Sequence, residues 1–131
     1  MIERCLYKII EDKLFKGKII VLAGARQVGK TTLLKQLLRN KEGVLWLNGD
    51  EMQVQNLFNN ASADRLLSEF GNNKIVILDE AQRIKDIGLR LKLIADADSD
   101  IQMIATGSSA FELANKVNEP LTGRKWEYQM F

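Results

Sequence analysis

Apolar residues recur along this chain in two alternating patterns. Ile2, Leu6, Ile9, Ile10 and Leu14 fall at helical spacing, so residues 2–15 read as an amphipathic helix closed by Gly17. Ile19-Ile20-Val21-Leu22-Ala23 is an unbroken, largely β-branched run, the mark of a strand buried on both faces. Leu33, Leu34, Leu37 and Leu38 define a second helix ending near 40–43. Val44 to Leu47 is a second strand, closed by the turn signal Asn48-Gly49-Asp50. Residues 52–60 are rich in Gln and Asn and read as loop or irregular helix. Ser62 suits the N-cap of a short helix through Phe70, stopped by Gly71. Ile75 to Leu78 is a third buried strand. Ile84, Ile87, Leu91 and Ile94 mark a third core-facing helix, Ile101 to Ala105 a fourth strand, 109–116 a short helix and Arg124 to Phe131 a fifth strand. Pro120 lies outside every element. Strands that alternate with helices and are apolar throughout predict an α/β fold, a parallel sheet covered on both faces.

Composition narrows the chemistry. A length of 131 residues permits one domain. There is no His, which excludes Ser-His-Asp and Cys-His catalysis and His-ligated metals. The one cysteine, Cys5, excludes an internal disulfide or a thiolate zinc site. Nineteen basic against 17 acidic residues leave a net charge of +2, too little to indicate a nucleic-acid or membrane surface. Apolar runs are far shorter than the about 20 residues a membrane helix needs, and the N-terminus is too broken by charge for a signal peptide. The expectation is a cytoplasmic protein.

The end of the first strand carries the strongest motif. Gly24-Ala25-Arg26-Gln27-Val28-Gly29-Lys30-Thr31 fits G-x-x-x-x-G-K-[ST], the Walker A phosphate loop. Glycines let successive N–H groups point into one concavity, which opens onto a helix N-terminus whose dipole favours phosphate. Lys30 would supply charge to the β- and γ-phosphates, the Thr31 hydroxyl would ligate Mg²⁺, and Thr32 would meet a nearby phosphate. Ile75-Val76-Ile77-Leu78-Asp79-Glu80 has the Walker B pattern, four apolar residues and then two acids. In a parallel sheet the strand C-termini share one edge, so Asp79 would face the phosphate loop and hold Mg²⁺ while Glu80 polarises the attacking water. Strand alternation would turn the two acids to different tasks. At the end of the fourth strand, Thr106 and Ser108 are candidates for sensing the γ-phosphate; Ser108 or Ser109 equally suits a helix N-cap.

Other fragments of motif dissolve on inspection. Asp96, Asp98 and Asp100 begin like a calcium loop, but Ile101 stands where Gly is needed and Gly107 where Glu is needed. Asn115-Lys116-Val117-Asn118 lacks the aspartate that pairs with guanine, which favours ATP over GTP. Lys13, Lys16 and Lys18 are diluted by Glu11 and Asp12 and read as a solvated edge.

The two Walker strings, with Leu78-Asp79-Glu80-Ala81-Gln82-Arg83-Ile84, Thr106-Gly107-Ser108-Ser109 and Leu121-Thr122-Gly123-Arg124, resemble the predicted AAA+-superfamily ATPases of bacteria and archaea, from the N-terminal helix to the last residue. The resemblance implies a three-layer P-loop sandwich with a five-stranded sheet in the order 5-1-4-3-2, ATP as nucleotide and Mg²⁺ as cofactor. It carries Gly24, Gly29, Lys30 and Thr31 over as Walker A, and Asp79 and Glu80 as Walker B. Arg124 falls at the family's Gly-Arg position, as a phosphate or subunit contact or merely the start of the last strand. In that family a helical lid and a C-terminal domain follow the ATPase domain, so the expectation is an N-terminal core whose partners are ATP or ADP, its own C-terminal domain and, in an oligomer, further copies of itself. Two rivals stay open. One is a nucleotide-gated switch or assembly module with little turnover. The other is a helicase-like fragment, suggested by the echo of the helicase Asp-Glu-Ala-x box in Asp79-Glu80-Ala81-Gln82, although a helicase core needs a second such domain.

Overall fold

The computed structural model describes the backbone of residues 2–16, 19–24, 30–60, 62–97, 100–107 and 125–130, and side chains within 8–16, 19–22, 32–60, 62–97 and 100–107. The elements are α1 (Ile2–Lys13), β1 (Ile19–Gly24), α2 (Lys30–Leu38), β2 (Val44–Asn48), α3 (Met52–Asn60), α4 (Ala63–Phe70), β3 (Ile75–Asp79), a 3₁₀ turn (Ala81–Arg83), α5 (Ile87–Ala97), β4 (Gln102–Gly107) and β5 (Lys125–Met130).

The strands form one five-stranded sheet in the order β2-β3-β4-β1-β5, which from the other edge is 5-1-4-3-2. Every pairing is parallel. Ile20 lies opposite Ile104 and Leu22 opposite Thr106; Leu78 lies opposite Ala105 and Asn48 opposite Asp79. Side chains alternate across the sheet. Ile20, Leu22, Ile75, Ile77 and Ile104 face Ile10 of α1, Leu14 just past its end and the four leucines of α2. Val21, Val76, Leu78, Met103 and Ala105 face the other way, against Val54, Phe58, Leu66, Phe70, Leu91 and Ile94 of α3, α4 and α5. The three-layer α/β/α architecture is therefore as expected, with apolar strands because both sheet faces are covered.

Several boundaries differ from the sequence reading. α1 stops at Lys13, and Phe15 takes a left-handed conformation at φ 58. Ile9, counted with the apolar stripe, is exposed. Residues 52–60, expected as loop or irregular helix, form a regular α-helix. Val54 and Phe58, one turn apart, are buried there, and burying such a pair contributes about 1.5–3 kcal/mol per side chain against the several tenths that each Asn costs a helix. Ser62 does cap α4, its Oγ accepting from the Arg65 N–H at 3.3 Å, and Gly71 ends that helix at φ 62. The third core-facing helix is broken: Ile84 sits in the core outside it, Asp86 has φ 54, and α5 begins only at Ile87. No described helix is long and apolar enough to cross a membrane. The helix expected over 109–116 and Pro120 lie outside the described residues.

Candidate functional site at the carboxyl edge of the sheet

Parallel strands need a crossover for each return, so α2 runs back against β1 and starts at the sheet's carboxyl edge. Gly24 is the last residue of β1 and Lys30 the first of α2; Thr31 follows within the helix, and Thr32 is exposed. Ala25, Arg26, Gln27, Val28 and Gly29 lie outside the described residues, as do Ser108 and Arg124.

β3 and β4 end beside each other at the same edge. Asp79 continues the side of β3 that carries Ile75 and Ile77, and Thr106 continues the side of β4 that carries Ile104, so both point to the sheet face that α2 covers. There the Thr106 hydroxyl donates a hydrogen bond to Asp79 Oδ1. The Glu80 backbone N–H donates to the same oxygen at 3.0 Å. Asp79 is half-buried and Thr106 is buried. Of the two sensor candidates, Thr106 is thus brought against the acid.

Glu80 is not the next residue of a strand. It leaves β3 in a left-handed conformation, φ 51 and ψ 45, as the residue before the 3₁₀ turn. Such a backbone costs a non-glycine residue about 1–2 kcal/mol, and it replaces the simple alternation expected of adjacent acids. Its side chain is buried, with Oε2 accepting from Gln82 Nε2 at 2.8 Å. The turn itself is closed by Arg83 N–H to Glu80 O at 3.1 Å and Ile84 N–H to Ala81 O at 3.0 Å.

The loop after β2 completes this edge. Gly49 N–H donates to Asp79 O at 2.7 Å, and a Cβ on Gly49 would lie 2.3 Å from the Glu80 carbonyl oxygen. Asp50 pairs with Arg83 at 3.2 Å across two exposed side chains. The Asn48 side chain accepts from Asp50 N–H at 2.9 Å, so it shapes the loop. Sequence reasoning took 48–50 only as a turn, and Gln82 only as part of a quoted string. No local signal showed that Gly49 lies on Glu80 or that Gln82 reaches back to it.

Among the described residues no three Asp, Glu or Cys side chains gather into a metal cluster. The donor set, one half-buried carboxylate backed by a hydroxyl at a strand end, suits a magnesium ion held mainly by phosphate oxygens rather than a protein cage. Asp79, with Thr31 from the helix start, would be the protein's share.

Comparison with known proteins agrees with this layout. A family model described as an AAA domain matches residues 16–131. An uncharacterized protein of Mycobacterium tuberculosis is 28% identical over 112 residues, 85% of this chain and 24% of its own length. An uncharacterized protein of Methanocaldococcus jannaschii is 32% identical over 124 aligned positions, covering 82% of this chain and 26% of its own. The chain thus spans about a quarter of the length of the curated relatives it matches. Among solved structures, a Walker-type ATPase of Pyrococcus abyssi superposes with a TM-score of 0.68 at 19% identity, over 95% of this chain and 52% of that one. A chain from the structure of Drosophila ORC bound to DNA gives 0.68 at 15% identity, over 98% and 89%. At these identities the likeness is one of fold.

Proposed function

The chain belongs to the AAA domain family, and from that membership we propose that it binds ATP with Mg²⁺ at the carboxyl edge of β1, β3 and β4 and hydrolyses it as the ATPase core of a larger protein. The observation that carries this reading is the joining of Asp79 and Thr106 on the sheet face covered by α2, the helix that opens with Lys30 of the Walker A motif.

In this reading the backbone of 24–29 cradles the phosphates, Lys30 neutralises the β- and γ-phosphates, and Thr31 and Asp79 hold the cation. Bound there, Mg²⁺ would offset charge developing on the transferred phosphoryl group. Thr106 holds Asp79 in orientation and reads the presence of the γ-phosphate through it. Glu80 orients a water and accepts its proton as the water oxygen bonds to the γ-phosphorus and the bond to ADP breaks. General-base assistance of this kind contributes about 10²–10⁴-fold.

The reading is tested in two steps. Lys30→Ala should lose a charge-assisted phosphate contact, about 10–150-fold in ATP and ADP affinity by titration calorimetry. Equal ADP affinity in variant and parent would sink the binding assignment. Glu80→Gln should keep ATP bound while slowing hydrolysis about 10²-fold or more. A parental rate would remove Glu80 as the base and favour a switch with little turnover.

A further inference from the structure

We infer that Gln82 is a positioning residue for Glu80: its side-chain amide fixes the Glu80 carboxylate in the orientation that meets the attacking water. The inference rests on the reading of Glu80 as general base and goes beyond it to the residue that makes that base competent.

Three observations converge on Gln82. Its Nε2 lies 2.8 Å from Glu80 Oε2, and the two residues are only 3% and 6% exposed. An amide donor on a buried carboxylate is a charge-assisted bond, stronger than one between neutral groups. The bond is also short in sequence and stiff in structure. Glu80 and Gln82 are separated by Ala81, which is fully buried in the core formed with α3, α4 and α5. The 3₁₀ turn is closed by two backbone hydrogen bonds, so Gln82 is offered on a rigid support rather than a loose loop. Finally, Glu80 pays for a left-handed backbone at φ 51. That conformation takes the side chain off the strand's alternation and into reach of an amide two residues on. A glutamate left to itself has three rotatable side-chain bonds; here one end is set by the turn and the other by the amide. Strain of this kind collects where geometry serves a task.

A purely structural role for Gln82 would be to satisfy its own buried amide. The two roles separate in kinetics, because a positioning residue acts through Glu80 and leaves nucleotide binding alone. The experiment uses the full-length protein with Gln82→Met, which keeps length and volume but has no donor, and Gln82→Glu, which keeps the shape and replaces the donor by an acid. Glu80→Gln and the double variant complete a cycle. We expect both Gln82 variants to lower kcat about 10- to 100-fold, the range a misplaced catalytic group commonly costs, with KM and the calorimetric Kd for ATP within about twofold of parent. In the Glu80→Gln background, Gln82→Met should cost nothing further. A parental kcat in both Gln82 variants beside a slow Glu80→Gln would overturn the inference and leave Glu80's role standing. An equal further loss in the Glu80→Gln background would overturn it too, since Gln82 would then act independently. A parental rate for Glu80→Gln itself is the separate failure of the general-base reading.

Discussion

Gly49 is where one missing atom decides the shape of the site. A Cβ there would sit 2.3 Å from Glu80 O, 3.0 Å from Glu80 C and 3.1 Å from Asp79 O, all backbone and unable to swing away. Gly49→Ala should push the β2–α3 loop off the end of β3 and break its 2.7 Å bond to Asp79 O, costing about 2 kcal/mol in chemical denaturation. Gly71→Ala isolates backbone strain from close approach: it meets nothing within 4 Å, but φ 62 with ψ −132 is a region kept almost to glycine, so about 1–3 kcal/mol is expected. An unchanged denaturation midpoint in Gly49→Ala would mean that close approach at Gly49 does not matter. Thr106 offers a second test at this scale. Thr106→Val preserves volume but deletes the hydroxyl that donates to Asp79 Oδ1. Asp79 keeps the Glu80 N–H and is half exposed, so water offsets part of the loss. Stability should fall by about 1 kcal/mol, and a Mg²⁺ titration at fixed ATP should shift to higher concentration by roughly 3- to 10-fold. An unmoved Mg²⁺ midpoint would detach Thr106 from the site.

Elements are stabilised here more by what they bury than by what they are made of. α3 contains Asn56, Asn59 and Asn60, which favour turns, yet it is helical because Val54 and Phe58 fill the core under it and Gln55 Nε2 bonds to Gly49 O at 2.8 Å. α4 behaves in the opposite way, with a start written plainly in sequence. Ser62→Ala removes the side-chain oxygen that caps its first turn. The variant should lose about 1 kcal/mol, a fall of roughly 4 °C in thermal melting. A melting temperature within 1 °C of parent, on the order of experimental error, would show that solvent caps α4 as well as Ser62 does.

At the scale of the molecule, strand order builds the site. The chain leaves β1, crosses the face covered by α2, and lays down β2 at the far edge before β3 and β4 fill the gap. The end of β1 therefore lies beside that of β4, with β3 next, at the crevice where such sheets bind ligands. If ATP with Mg²⁺ fills it, saturation at about 100 times Kd should stabilise the fold by about 2.7 kcal/mol and raise the melting temperature by roughly 11 °C. GTP at the same concentration should do less, because Asn118 stands where a guanine-reading motif needs Asp. Scanning fluorimetry with both nucleotides checks this; a larger rise with GTP would reverse the base preference.

Whatever depends on a few neighbouring residues was legible in the chain itself. Two-sided burial of β1 and β3 shows as unbroken Ile, Val and Leu, and the α4 cap as Ser62, because each is a local conformational or hydrophobic preference. The order 5-1-4-3-2 was available only through family resemblance, since periodicity says that a strand is buried but not beside which other. Tertiary structure alone decided the rest. Thr106 meets Asp79 across 27 residues, Gly49 lies on the Glu80 carbonyl, and a core supplied by distant strands makes 52–60 a helix. Those outcomes turn on packing and chain crossing, and no window of a few residues contains the partner that determines them.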